Sequence, residues 1–327
     1  MTKIVYCGPF KKDFQDYIDL KRAIGYKYET EAKRLECFDK FTIQKYPLAT
    51  TLTKEIVLDW CSKKSHETQQ NQCIRASSMR QFGIYLDSLG VNSYILPKNY
   101  YPATIRYIPH IYTIDELKRF FAQTDQCNRS RYPNRHLIMP VIFRMLYMCG
   151  LRASEARLLK VSDVNLVSGI ITINNSKNDN SRLVPMANSL LKRCQDYSNI
   201  VHCNSKENDY YFPVPNGNVI TKYYLYRNFR QLLWQARISH VGRGNGPRIH
   251  DFRHTYAVHC LKNWVEQQKD LNTYLPILKT YMGHYLFAET AYYLRMTAEV
   301  FPDIIINLES KYSQIIPELE GEFDETN

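Results

Sequence analysis

Residues 90 to 112 divide this chain. Pro97, Pro102 and Pro109 interrupt a tyrosine-rich stretch there. Proline fixes φ and removes a backbone donor, so neither a long helix nor a central strand can run through such a stretch. An extended connection between two bodies is expected, and 327 residues are enough for two cores. The reading is a helical domain over 1–95, a linker over 96–112, a second domain over 113–316 and an acidic tail over 317–327 carrying Glu318, Glu320, Glu322, Asp324 and Glu325.

Before the linker the apolar residues recur at helical spacing. Phe14, Tyr17, Ile18 and Ile24 mark one helix that Gly25 ends. Ala32, Leu35, Phe38 and Phe41 mark a second, stopped by Pro47. Residues 53–61 and 79–89 supply two more, giving a bundle of four to five helices. After the linker, Thr113 and Glu116 form a capping box that opens a helix. His136 to Cys149 forms an apolar helix closed by Gly150. Ile171–Ile173 and Arg182–Val184 flank the turn-rich run SKNDN, as the strands of a hairpin do. Helical patterns return near 188–200, 221–237, 251–264, 271–282 and 289–298. The fold class is mainly α with a small antiparallel sheet, an α+β arrangement.

Five short clusters in the second part carry chemistry: GLRASE (150–155), SKNDNSRLVP (176–185), HDFRH (250–254), MGH (282–284) and AYY (291–293). Together they offer groups that clamp a phosphodiester, attack it and protonate what leaves. Gly150 turns the chain so that Arg152 stands just beyond a helix end, and Glu155 can reach back to orient it. His250 and Arg253 lie at i and i+3 and share a helix face, where a forked guanidinium binds two phosphate oxygens and an imidazole exchanges a proton. His254 points elsewhere, into the protein. His284 and Tyr293 are nine residues apart, and at ~100° per residue an unbroken helix puts them on opposite faces. They serve one site only if the helix breaks near Gly283. Tyr292 and Tyr293 face different ways, so one alone can enter, and with 26 tyrosines in the chain residue type alone does not choose between them.

A net charge of +11 suits a phosphate-backbone partner. Nine irregularly spaced cysteines without a CxxC pair argue for free thiols in a reducing compartment and against a zinc site. The start MTKIVYCGPFKKDF lacks an apolar signal core, and no apolar run is long enough for a bilayer. A cytoplasmic protein with no membrane partner is expected, nucleoid-associated if its phosphate-backbone partner is DNA.

In order and spacing the five clusters resemble the catalytic domain of the tyrosine recombinases, the phage-integrase and Xer-like family. The family pattern of G-L-R-x-S-E, a hairpin lysine, H-x-L-R-H-T, L-G-H and a tyrosine nine residues later is met as GLRASE, SKNDNSRLVP, HDFRHT, MGH and Tyr293. The departures are Phe252 for leucine and Met282 before Gly283, neither a reacting group. The resemblance covers about 113–310, and 10–90 is similar more loosely to the family's helical core-binding domain. It implies site-specific recombination through a 3′-phosphotyrosyl intermediate formed by Tyr293. Arg152 and Arg253 hold the non-bridging oxygens, Lys177 is the general acid, His250 assists proton transfer, His284 donates to the phosphate, and Glu155 supports Arg152. No metal, ATP or other cofactor is implied.

The implied partner is double-stranded DNA with inverted-repeat core sites, clamped by both domains, with self-association to dimer and tetramer and an accessory DNA-bending or directionality protein. Candidate DNA contacts are Lys63, Lys64, Arg75 and Arg80 in the first domain and Lys222, Arg227, Arg230 and Arg243 in the second. Phe301, Ile304, Ile305, Leu308, Ile315 and Ile316 give 301–316 the character of a docking helix, in cis or on a neighbour. The short N-terminal part leaves no room for a separate arm-site domain, which leans toward a two-domain enzyme of a mobile element or a resolvase. A type IB topoisomerase-like relaxing enzyme, and a DNA-binding protein without strand exchange, are the alternatives.

Overall fold

The computed structural model describes residues 4–102, 107–128, 134–174, 181–242 and 246–301, apart from the side chains of 298–300. Lys177, Arg243, nearly all of 301–316 and the acidic tail lie outside the described residues. The chain forms two compact units, Met1–Arg106 and Tyr107–Asn327. It is mainly helical with one small antiparallel sheet.

The first unit holds α1 (Lys11–Ala23), α2 (Glu29–Lys45), α3 (Lys54–Cys61) and α4 (Gln69–Ser88). Threonine hydroxyls start two of them: Thr53 accepts from the Ile56 amide and Thr68 from the Asn71 amide. The core is aromatic. Phe14 meets Phe82 at 4.9 Å between ring centroids, and Phe38 meets Trp60 at 5.2 Å. Helix α4 begins ten residues before the expected Met79, at Gln69. Its first half buries polar groups, with Gln72 Nε2 donating to the Cys61 carbonyl at 3.0 Å, so apolar periodicity does not reveal it. Part of the proline-rich stretch also packs. Leu96 lies in this core, and the Tyr94 amide donates to the Leu52 carbonyl at 2.7 Å.

The second unit starts with α5 (Ile114–Asp125), opened by the Thr113–Glu116 capping box. Next come α6 (Arg135–Met148) and the short α7 (Ala153–Leu158). Strands β1 (Val164–Asn165), β2 (Ile170–Ile173) and β3 (Arg182–Pro185) form an antiparallel sheet in that order, with Ile171 opposite Val184 and Ile173 opposite Arg182. The two-residue β1 is too short to leave a period-two signal in the sequence. Among the described residues five helices follow: α8 (Asn188–Val201), α9 (Lys222–Gln235), α10 (Asp251–Glu266), α11 (Leu271–Met282) and α12 (Phe287–Val300). Phe252 stacks on Tyr112 at 4.7 Å and meets Phe120 at 5.1 Å. That packing anchors the start of α10, and with it the HDFRH cluster.

Candidate active site

Two glycine corners bring the clusters together. Gly150 has φ +57°, and a Cβ there would stand 2.7 Å from the Tyr256 ring, so both conformation and space require glycine. Gly283 has φ +66° and ends α11, which supplies the helix break that His284 and Tyr293 need. The two arginines tie these corners to each other. Arg253 Nη1 donates to the Gly150 carbonyl at 2.6 Å and Nη2 to the Met282 carbonyl. Arg152 Nη2 donates to the Gly283 carbonyl at 3.3 Å. A guanidinium carries five N–H donors, so each arginine keeps further donors for an anion.

Glu155 lies behind Arg152 as expected. One carboxylate oxygen accepts from the Arg152 amide and the other from its Nη1, both at 2.9 Å. Sequence reasoning missed the second partner of Glu155. Arg182, on β3, donates Nη1 and Nη2 to the same carboxylate at 3.0 and 2.8 Å. Burial opposes the Glu155 charge, yet the Arg182 hydrogen bonds and charge prevail and hold its pKa down to about 2. The signal available in the sequence was alternation: along R-L-V-P the inward positions are Arg182 and Val184, with Leu183 exposed.

The aromatic side of the site is continuous. The His284 ring stacks on Tyr293 with centroids 5.8 Å apart and planes 14° apart. His254 lies 5.6 Å from Tyr293 and 4.7 Å from His250. His284 Nδ1 shares a 2.8 Å hydrogen bond with the Thr290 hydroxyl, which fixes the ring from α12; no motif in the sequence marked Thr290. The structure therefore joins Arg152, Glu155, His250, Arg253, His284 and Tyr293 in one constellation, while Lys177 is outside the described residues.

Two features differ from a site open to substrate. Arg253 is 1 % exposed and Tyr293 3 % exposed, so packing covers the groups expected to meet DNA. Burial lowers Arg253 to about 10, with Tyr293 opposing the shift, which leaves the guanidinium charged at neutral pH. His250 and His284 are both held in their neutral forms, against the expectation that His250 exchanges a proton near neutral pH. Burial, then the Arg253 and Arg152 charges, pushes His284 far down. His250 keeps an exposed surface, yet desolvation of its ring and the same two arginines also favour its neutral form.

The expected DNA contacts separate into groups. Lys63 and Lys64 are exposed, the latter with its ammonium 4.5 Å from the Trp60 ring centre. Lys222, Arg227 and Arg230 are exposed along α9, and Arg230 Nη1 reaches the Tyr226 hydroxyl at 3.3 Å. Arg80 is half-buried. Arg75 is not a free cation: it is buried, pairs with Glu67 through Nε at 2.7 Å and donates to the Ser62 carbonyl at 2.9 Å. Arg75 shapes the loop before α4 instead of facing a phosphate. Arg243 lies outside the described residues. Among the described residues no cluster of His, Cys, Asp or Glu is arranged to hold a metal, and no helix is long and apolar enough to cross a membrane.

The phage integrase family matches residues 112–299, more than half of the chain. The chain belongs to that family, the tyrosine recombinases. A Sinorhizobium fredii protein with a provisional integrase/recombinase name is 30% identical over 310 residues, 93% of this chain and 98% of its own. A tyrosine recombinase of Pseudothermotoga lettingae is 24% identical over 305 residues, covering 91% and 97%. In three dimensions this recombinase is similar to the Tn1549 transposon integrase in complex with transposon right-end DNA. Their TM-score is 0.61 at 14% identity, covering 92% of this chain and 99% of that one, a likeness of fold. Family membership makes site-specific DNA recombination the activity class of this recombinase.

Proposed function

We propose that this recombinase cleaves and rejoins DNA through a 3′-phosphotyrosyl bond to Tyr293. The observation that carries the reading is the company Tyr293 keeps: His284 stacked at 5.8 Å, His254 at 5.6 Å, and the charged Arg253 in electrostatic contact. A nucleophile with two imidazoles and a guanidinium around it is equipped for phosphoryl transfer.

The Tyr293 hydroxyl attacks the scissile phosphorus and loses its proton to the neutral His250. The bond from phosphorus to the 5′-oxygen breaks, and Lys177 delivers a proton to that oxygen. Arg152 and Arg253 hold the non-bridging oxygens while charge builds in the five-coordinate transition state, and neutral His284 donates a further hydrogen bond. Attack by the 5′-hydroxyl of a second strand reverses these bonds and seals the exchange. The phosphotyrosyl ester conserves the phosphodiester's energy, so no ATP is consumed, and two guanidinium groups provide the positive charge that a metal provides elsewhere. Because Arg253 and Tyr293 are covered in the free chain, engaging the phosphate requires their packing to open.

The duplex partner is held by exposed cations, Lys63 and Lys64 in the first unit and Lys222, Arg227 and Arg230 on α9 in the second. We assign two protomers to each inverted-repeat site and four to the recombining pair of sites. The test is a plasmid carrying two copies of the cognate site together with a nicked suicide duplex. Recombinant plasmid and a covalent protein–DNA complex, both lost in Tyr293→Phe while DNA binding persists, support the reading. Supercoil relaxation without recombinants would point to a topoisomerase-like enzyme, and binding with no covalent complex in the wild type would overturn the chemistry.

A further inference from the structure

We propose that Arg182 is a positioning residue for strand cleavage, acting through Glu155 on Arg152 and through the Tyr281–Gly283 corner on His284. The inference rests on the phosphotyrosyl reading above. Arg182 pairs with Ile173 at the end of the β2–β3 ladder, and it points inward beside Val184, where an aliphatic residue would continue the core. Its side chain is buried. A guanidinium in such a place is costly unless its donors are matched.

They are matched at both corners of the site. Nη1 and Nη2 form a fork onto Glu155, the carboxylate that also receives the Arg152 amide and guanidinium. The remaining direction, Nε, donates to the Tyr281 carbonyl at 2.8 Å. A Cβ on Gly283 would stand 2.9 Å from Arg182 Nη1, so the backbone that presents His284 is seated directly against the guanidinium. Gly283 also offers its carbonyl to Arg152. One side chain therefore spans the supports of a phosphate-holding arginine and of the histidine stacked on Tyr293.

The sheet does not need an arginine there. Ile171, Ile173 and Val184 already fill the inward face. What arginine supplies, and lysine does not, is a planar fork that shares Glu155 with Arg152 while a third donor fixes the second corner. Without the fork Glu155 has only Arg152 to pair with, and Arg152 is drawn from the phosphate toward its own carboxylate.

The experiment measures single-turnover covalent complex formation by the full chain on two nicked substrates, one with an ordinary scissile phosphodiester and one with a methylphosphonate at that position. The second lacks the anionic oxygen that Arg152 holds. Arg182→Lys is expected to keep DNA affinity and to slow the ordinary substrate about 10²-fold, the scale of a displaced catalytic group. The deficit relative to wild type should shrink on the methylphosphonate. A variant as fast as wild type, or one equally impaired on both substrates, overturns the proposal and leaves Arg182 a structural residue. If Arg182→Lys fails to fold, Glu155→Gln is read in the same way, because it keeps the shape of the side chain while weakening the shared pairing of Arg182 and Arg152. Failure of the wild type to form any Tyr293 complex would instead overturn the underlying phosphotyrosyl reading.

Discussion

Between α1 and α4 the first unit buries rings: Phe14, Phe38 and Phe82 have no exposed surface, and Trp60 packs against Phe38 and Phe41. At the centre of the second unit Glu155, Arg182, Asp251 and Arg253 are buried as residues of that class rarely are. Arg253 and Arg182 donate to backbone carbonyls of the two glycine corners, Glu155 pairs with Arg182 and Arg152, and Asp251 accepts from the Tyr107 hydroxyl and the Arg248 amide. An aromatic core depends on volume and tolerates small changes in shape. A buried ionic cluster tolerates loss of none of its members, because the group left behind keeps its desolvation cost. The contrast separates a unit with an aromatic core from a unit that carries unfavourable ionic burial around its candidate site.

The largest expected effect comes from breaking the ionic cluster. Glu155→Ala strands Arg182 and should destabilise the second unit by about 3–5 kcal/mol, read by urea denaturation, with hydrogen exchange assigning the loss to residues 107 onward. A loss under 1 kcal/mol (about a fivefold change in the folding equilibrium) would erase the contrast.

Acidity should act next, and on the same unit. The unfolded chain takes up a proton at the ordinary histidine value of 6.5, whereas folded His284 resists it far below that pH. The unfolded state thus binds more protons below pH 6.5, and stability falls as pH drops through that window, by roughly 1 kcal/mol per pH unit. Hydrogen exchange at pH 6.5 and 5.5 should show weakened protection around α10 to α12 and little change in the first unit. Equal weakening in both would contradict it.

Smaller effects sharpen the other half. Ile56→Val in the first core should cost about 1 kcal/mol and leave the cleavage rate of the folded enzyme unchanged. Removing the exposed Glu36–Lys40 pair by Glu36→Gln should leave the midpoint of the same denaturation unchanged, because solvent screens the pair.

The parts legible in the sequence were those written in apolar period or in local turn chemistry. The capping box at Thr113, the hairpin of β2 and β3, and the need for a break before α12 all follow from residues close in the chain. The start of α4 did not, because Gln72 and Arg75 bury polar groups satisfied only by the folded loop before them. Arg75 looked like a surface cation for the same reason. In the site, the clusters named Arg152, Glu155, His250, Arg253, His284 and Tyr293. Arg182 and Thr290 stayed hidden because their roles depend on contacts 27 residues back and 6 residues back, outside any shared pattern. The covering of Arg253 and Tyr293, and the neutrality of the histidines, arise from burial and from arginines distant in sequence, which spacing cannot express.

The central claim is that Tyr293 is the residue joined to DNA. Proteolysis of the trapped covalent complex, followed by peptide mass spectrometry, reads the attachment point directly. The account predicts nucleotide mass on Tyr293, with the complex retained in Tyr292→Phe and absent in Tyr293→Phe. Nucleotide on Tyr292, or an undiminished complex in Tyr293→Phe, would contradict it.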